Sequence, residues 1–572
     1  MKASDAIAKV LSANNVTVGF ELIGGMIAHL VDSINVLGET KLISLHHEQA
    51  AAFAAGGIAR ATSNKSLGLA LGTSGPGATN LVTGIADCWL DNYPCIFITG
   101  QVNTHELKGD RNIRQQGFQE LDIVSIVKSI TKYAVQIKSE KEIIPELQKA
   151  IDLAITGRPG PVLIDIPMDL QRAEVEEEML DFLKAKGSSA TTSPISEQVS
   201  LQVTRVFDEL SEAEKPLFII GGGAVNETSY PDWQELVSHL KIPHVASLKG
   251  SEKTIALDSY LGMIGAYGTR AANHAVQNAD LIIVLGSRLD VRQTGADVND
   301  FGRKATKIIQ IDLDQEQLNN RVKGHINIHA TCESFFQAHL SLSNSISEAH
   351  CAWSMELMEH FTRSFQDEYE ELNVSPFNLC TSLRSQFKGK ATQFVTDVGN
   401  NQMWIAHSLF LDKGQMIHHS GGLGAMGFSI PTSIGVHFAT GENVVSISGD
   451  GGAQLNIQEL DIIARENLPI LTIILNNKSL GMVRAFQEMY FDGRNQSTFW
   501  QGYSSSFCNL GQAYQMKSVL VSTIDEFNQA IKIFIENPLP TLIEVMMVDA
   551  RDCRPRLAFG NPIDKQYPLG DF

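Results

Sequence analysis

Short runs of β-branched and aliphatic residues that end on Gly, Asp or Asn, separated by helix-period segments, recur along the whole chain of 572 residues. This alternation is the signature of βαβ units on parallel sheets. Residues 217–220, 281–285, 308–311, 444–448 and 470–475 are the clearest runs, and each puts a turn residue at a strand's carboxyl end. That is the edge where doubly wound sheets hold ligands. At about 150 residues per domain, the length calls for three to four such units. The segment 185–196 is rich in Gly, Ser, Thr and Pro and follows an acidic run at 174–178. A second, Ser/Asn-rich segment at 340–347 precedes a charged helical stretch to about Glu371. The expected organisation is therefore three doubly wound α/β domains, at 1–180, 190–345 and 370–572.

Composition excludes several classes. Lys and Arg number 45 against 64 Asp and Glu, a formal charge of −19, with no basic stretch to hold a nucleic acid. No run reaches the ~18 apolar residues of a membrane span, and Asp5 interrupts the start where a secretory signal would be apolar. The expected location is the cytoplasm. Seven cysteines, Cys88, Cys95, Cys332, Cys351, Cys380, Cys508 and Cys553, are scattered without close pairs and read as reduced packing residues.

The first and third blocks share a fragment. Glu146-Leu147-Gln148-Lys149-Ala150-Ile151 leads into Pro161-Val162-Leu163-Ile164-Asp165-Ile166, and Glu526-Phe527-Asn528-Gln529-Ala530-Ile531 leads into Pro540-Thr541-Leu542-Ile543-Glu544-Val545. Any helix entering a buried strand has this pattern, so the fragment alone leaves two readings open: coincidence, or sister domains.

The sharpest chemical signal lies in the third block. One strand ends in Gly449-Asp450-Gly451-Gly452, and 24 residues separate Gly451 from Asn476-Asn477 at the end of the next. Asp450, Asn477 and a backbone carbonyl at Ser479 offer the all-oxygen set that Mg²⁺ takes together with substrate phosphates. The glycines let backbone N–H groups approach a diphosphate. A Gly-Asp-Gly alone is a common turn; two strand ends at this spacing are far more specific.

This spacing resembles the thiamine diphosphate enzymes, and further strings resemble their acetolactate synthase group over nearly the whole chain. These are His47-Glu48-Gln49, the string from Leu71 to Asn80, Phe118-Gln119-Glu120, Gly157-Arg158-Pro159-Gly160-Pro161, the string from Gly421 to Gly427, Asn456-Ile457-Gln458-Glu459-Leu460 and Leu480-Gly481-Met482-Val483. The resemblance implies thiamine diphosphate, Mg²⁺ and FAD as cofactors. It implies that Glu48 hydrogen-bonds N1′ of the cofactor, with Pro76 and Asn80 nearby, and that the Gly424 carbonyl and Met426 hold its pyrimidine. Val398, Gly399, Asn400, Asn401, Gly449, Asp450, Gly451, Gly452, Asn477, Leu480, Gly481 and Met482 fall at the diphosphate, with Asp450, Asn477 and Ser479 as metal ligands. Gly25, Phe118, Gln119, Lys132, Arg288, Met482 and Phe486 join Glu48 at the reacting end.

The middle block is similar to the flavin-binding domain of that group. Arg158, Gly221, Gly222, Gly223, Leu248, Lys249, Tyr267, Gly268, Gly286, Arg288, Asp290, Arg292 and Asp312 are the implied flavin contacts. Implied too is a homodimer, or a dimer of dimers, in which Glu48 of one subunit faces the third block of another. The implied chemistry is decarboxylation of pyruvate and transfer of its two-carbon unit to a second carbonyl compound.

Three departures bear on that acceptor. Ala485-Phe486 stands where the group usually has Gln-Trp, the segment between Gln101 and Phe118 is longer and more polar than expected, and Leu22-Ile23 precedes Gly24-Gly25 without the usual Tyr-Pro. A wider pocket fits two acceptors, a second 2-keto acid or the ketone of a nucleotide-linked deoxysugar. A flavin-dependent pyruvate oxidase, or another 2-keto acid decarboxylase, is the alternative enzyme; Pro562 and Pro568 break the amphipathic tail that the oxidase's membrane-activated form would need. A non-catalytic regulatory homologue is the reading that intact Glu48, Asp450 and Asn477 disfavour.

Overall fold

The computed structural model describes all residues except 182, 184–196, 342–347, 500–501, 548–549 and 570–572. Its described part contains three six-stranded sheets, parallel in every observed pairing, and one two-stranded antiparallel ribbon. The first sheet begins with Val18–Leu22 and ends with Val162–Pro167; the second runs from Pro216–Ile220 to Ile326–His329, the third from Thr392–Thr396 to Thr541–Met546. The 185–196 segment lies outside the described residues, as does 340–347 beyond Ser341.

Counting strands in chain order within each sheet, the first is arranged 2-1-3-4-6-5 and the third is arranged identically. The shared fragment therefore marks sister domains rather than coincidence: Glu140–Ile155 enters Val162–Pro167 as Ile524–Glu536 enters Thr541–Met546. The middle sheet is arranged 6-5-4-1-2-3, the dinucleotide-fold order read from its other edge. Its order reverses between the strands Pro216–Ile220 and Leu281–Leu285.

The helix Glu48–Ala61 explains its own composition. It is buried nearly throughout, lying between its sheet and the helix Ser429–Thr440 of the third domain. A Cβ on Gly57 would come within 2.6 Å of the Thr432 carbonyl oxygen, and one on Gly435 within 1.9 Å of that of Ala54. Only glycine at these two positions lets the sister helices touch backbone to backbone. Phe53 and Phe428 seal one end, edge to face at 5.6 Å.

Two expectations are corrected. The charged helix spans Glu348–Ser364 and stops short of Glu371, because Asp367 instead accepts from the Tyr369 N–H and the Ser375 hydroxyl and organises a turn. The cysteines do include a spatial pair: Cys88 and Cys95 lie on a helix and the following strand with sulfurs 3.6 Å apart, both reduced and buried.

Candidate functional site

The glycine-rich turn after the strand Asn443–Gly449 starts a short helix, Asp450–Ala453, so Asp450 sits where N–H groups are unpaired. Its carboxylate accepts from the Gly451 N–H at 2.7 Å and the Ser479 N–H at 3.1 Å. The same Ser479 N–H lies 3.2 Å from Asn477 Oδ1, so the two side-chain oxygens converge. Asp450 is 2 % exposed and has no cationic side chain among its hydrogen-bond partners. Burial pushes it up to about 7 against the pull of N–H donors from Gly451, Ser479 and Lys478. A buried carboxylate beside a second oxygen and no nitrogen or sulfur donor fits a hard divalent cation.

What aims this loop is a residue the sequence motifs did not include. Glu544, 1 % exposed, accepts from Asn476 Nδ2 at 2.7 Å and from the Cys508 N–H at 2.8 Å. Asn476 Oδ1 in turn accepts from the Lys478 N–H at 3.1 Å, where the backbone is left-handed. The sister residue, Asp165, accepts from Gln101 Nε2 at 3.0 Å at the matching strand end. The repeat pairs these two acids, and that pairing was the available signal.

Around the cation loop lie the other implied diphosphate contacts. Gly399 has φ +125° and starts the helix Asn400–Ser408. Asn401 Nδ2 would stand 3.2 Å from a Cβ on Gly449, and its buried Oδ1 has no partner among the described residues. Asn400 Nδ2 and Asn477 Nδ2 lie 2.6 and 2.7 Å from where a Cβ of Gly481 would be, which requires glycine there. Met426 Cε comes within 3.3 Å of the same point on Gly451, and Leu480 closes the other side at 2.3 Å, while Gly452 abuts Asp397. Gly424 is left-handed and open, with Val398 nearest at 3.9 Å.

In the first domain Glu48 is the first residue of its helix, after His47, which accepts from the Gln49 N–H. Glu48 Oε2 accepts from Asn80 Nδ2 at 2.9 Å, and Oε1 lies 3.2 Å from the Cβ position of Gly77. Pro76 opens the short helix Pro76–Asn80 that carries Asn80. Gly25 faces open space. Gln119 takes a left-handed backbone and packs on Gly75, and Phe118 is thrown 81 % into solvent. The polar segment before it is tied by Glu120, which accepts N–H groups from Lys108, Gln116 and Gly117. Met482 and Phe486 lie on the helix Gly481–Tyr490, where Phe486 is half exposed beside Tyr490 and Phe491. Lys132 does not point at these groups: its Nζ donates to the Thr156 carbonyl at 2.5 Å.

At the middle sheet's reversal point lies a cavity of about 380 Å³. Gly222, Gly223 and Gly286 form one wall, with Arg158, Arg288, Arg292, Asp290, Asp312, Leu248 and Tyr267 around it. Gly286 is left-handed, and a Cβ there would strike the Ala224 backbone nitrogen at 2.7 Å. Arg158 is oriented by Asn92 and Asp314, and Asp290 caps the helix Val291–Thr294. Arginines, glycine-edged strand ends and a half-buried acid at the end of Lys307–Asp312 fit a dinucleotide.

Two expected contacts, Gly221 and Gly268, differ, while Lys249 lines the cavity with its ammonium paired to Glu252 at 2.7 Å and, at 3.5 Å, to Asp91, which is itself on the cavity wall. Gly221 serves strand pairing, its N–H donating to Leu285 while its Cβ position meets the Gly286 carbonyl. Gly268 packs on the Met263 carbonyl outside the cavity. Glu227, on the cavity wall, was missed; burial and the neighbouring Glu333 push it up to about 7.

The chain matches three family models: the N-terminal TPP binding domain of thiamine pyrophosphate enzymes at 1–126, their central domain at 203–339 and their C-terminal TPP binding domain at 397–545. A probable acetolactate synthase large subunit of Methanocaldococcus jannaschii is 34 % identical over 98 % of this chain and 94 % of its own length. The acetolactate synthase isozyme 2 large subunit of Escherichia coli is 33 % identical over 97 % of each, and the large subunit of Lactococcus lactis 34 % identical over 99 % and 96 %. With the middle sheet inside the central model's region, the first and third sheets each overlapping one of the other two, and a full-length likeness to these subunits, the chain belongs to the thiamine diphosphate-dependent acetolactate synthase family.

Proposed function

We infer that the protein is a thiamine diphosphate-dependent carboligase that decarboxylates pyruvate and joins the remaining two-carbon unit to a second carbonyl compound. The observation that carries this is the pairing of an intact Glu48–Asn80 corner with an intact Asp450–Asn477 loop. When bound, thiamine diphosphate would supply an acidic carbon–hydrogen bond and an electron sink for decarboxylation of a 2-keto acid. Glu48 holds a proton on the pyrimidine ring, and Asn80 keeps its carboxylate aimed. The Gly424 carbonyl accepts from the pyrimidine's amino group, and Met426 supports the ring beside Gly451. Asp450, Asn477 and the Ser479 carbonyl hold Mg²⁺, which screens the diphosphate. The glycine and arginine cavity of the middle domain takes FAD, whose presence does not make the enzyme an oxidase.

Glu48 serves the third domain of a second copy, so a homodimer, alone or paired into a tetramer, is the working unit, and its place is the cytoplasm. No helix among the described residues is long and apolar enough to cross a membrane. The acceptor is a 2-keto acid, in keeping with the relatives' names. A deoxysugar ketone is the second reading, favoured by half-exposed Phe486 and by the exposed polar stretch before Phe118. Labelled pyruvate, thiamine diphosphate, Mg²⁺ and FAD, with and without a nucleotide-linked 4-keto-deoxysugar, test this by mass spectrometry. Fast acetolactate formation indifferent to the sugar supports the first acceptor. Efficient two-carbon extension of the sugar replaces it with the second, and no labelled ligation product with either contradicts the carboligase reading.

A further inference from the structure

Arg60 has one of the largest fully buried side chains among the described residues, yet nothing above uses it. Its Nη2 donates to Asp87 at 2.6 Å and to Asp91 at 3.0 Å, and Nη1 donates to the His419 carbonyl at 2.7 Å. Its guanidinium carbon lies 4.2 Å from the ring centre of Tyr93 and 4.8 Å from that of Phe428. The two aspartates stand one helical turn apart on Val82–Asp91 in the first domain. Their remaining bonds leave that domain. Asp87 accepts from the Ser420 hydroxyl at 2.5 Å, and Ser420 Oγ accepts from the Ala425 N–H at 3.1 Å. Asp91 accepts from the Gly421 N–H at 3.0 Å and the Gly422 N–H at 2.7 Å.

The loop so gripped, residues 420–427, carries Gly424 and Met426. Its four glycines, Gly421, Gly422, Gly424 and Gly427, offer no side chain to pack, and Gly424 and Gly427 are left-handed, so its conformation depends on hydrogen bonds made from outside. A wholly buried ionic set is a weak source of net stability but fixes directions closely, because every unmatched donor or acceptor is costly. We propose that Asp87 and Asp91, held by Arg60, are positioning residues for the thiamine-binding loop of their own chain, so that the first domain builds two active sites at once. This rests on the reading that Glu48 reaches the third domain of the partner. Glu48 and Arg60 lie at opposite ends of one buried helix, about 18 Å apart at 1.5 Å per residue. That helix then has one end in each of the dimer's two sites.

The test uses the full-length protein with its cofactors. Asp91→Asn, nearly isosteric, and Ser420→Ala, which cuts the bridge from Asp87 to Ala425, are each expected to weaken thiamine diphosphate binding at least about tenfold by tryptophan fluorescence. They are also expected to speed amide exchange in 420–427, which Glu48→Gln leaves unchanged. Unchanged affinity and exchange in both loop variants overturn the proposal. Mixed dimers read its second half. Asp91 and Glu48 share a domain, yet Glu48→Gln mixed with Asp91→Asn is expected to regain activity, because one site of each hybrid keeps both groups. Glu48→Gln mixed with Asp450→Ala is the reference pair. If only the reference pair regains activity, the positioning role fails while the shared site stands. If neither does in dimers shown by native mass spectrometry to be mixed, the shared site fails and the two-site role of the helix with it.

Discussion

A carboxylate survives burial only where donors or a cation meet it, and four of them shape this site. Among the described residues Glu48 has a single side-chain donor, Asn80. Glu48→Gln keeps that shape, so the expected outcome is a folded protein that binds thiamine diphosphate but exchanges the cofactor's acidic carbon-bound proton about 10²-fold or more slower, read by NMR. Asp450→Ala is expected to weaken thiamine diphosphate binding, most at low Mg²⁺, and titration of the cofactor at micromolar Mg²⁺ checks it. Glu544 works one step back, through Asn476. Asp165 gives a pH signature. Burial raises it to about 6 against donors from Gln136, Thr99 and Gln101. The native state therefore binds more protons than the unfolded chain between the usual aspartate value and about 6. Its contribution must fall as pH rises across that window and level off above it, by about 3 kcal/mol in all. Denaturant titrations of wild type and Asp165→Asn from pH 4 to 8 are expected to differ by that slope.

At the scale of elements, strand positions were legible because buried parallel strands read as unbroken apolar runs: 281–285 coincides with its strand, and 470–475 falls short by one residue. The helix crossing between the sister domains was not legible. Nothing local distinguishes Gly57 and Gly435 from other helical glycines; their need arises from a neighbour hundreds of residues away. Gly435→Ala puts a methyl into the Ala54 carbonyl, and a loss of about 1–3 kcal/mol in stability is expected from chemical denaturation. The same blindness covers Lys249. Its place beside a glycine-lined cavity was foreseeable, and Glu252 stands only three residues on, but its second partner, Asp91, comes from a fold-back no motif encodes. Cys88 and Cys95 show the reverse: close in sequence, they meet only because the helix returns along its own strand.

At the scale of the molecule, the first and third sheets share one strand order, and under the proposed function one sister domain presents Glu48 while the other presents the Asp450–Asn477 loop. The middle sheet took a different order, and its reversal point opens on arginines. The most direct measurement follows the carbons of [2,3-¹³C₂]pyruvate by NMR, with oxygen uptake recorded, in protein loaded with thiamine diphosphate, Mg²⁺ and FAD. The expected result is a new carbon–carbon bond from the labelled two-carbon unit to an acceptor, one CO₂ released per bond formed, and no matching oxygen consumption. Labelled acetate formed in step with oxygen uptake, or no decarboxylation at all, would contradict a carboligase.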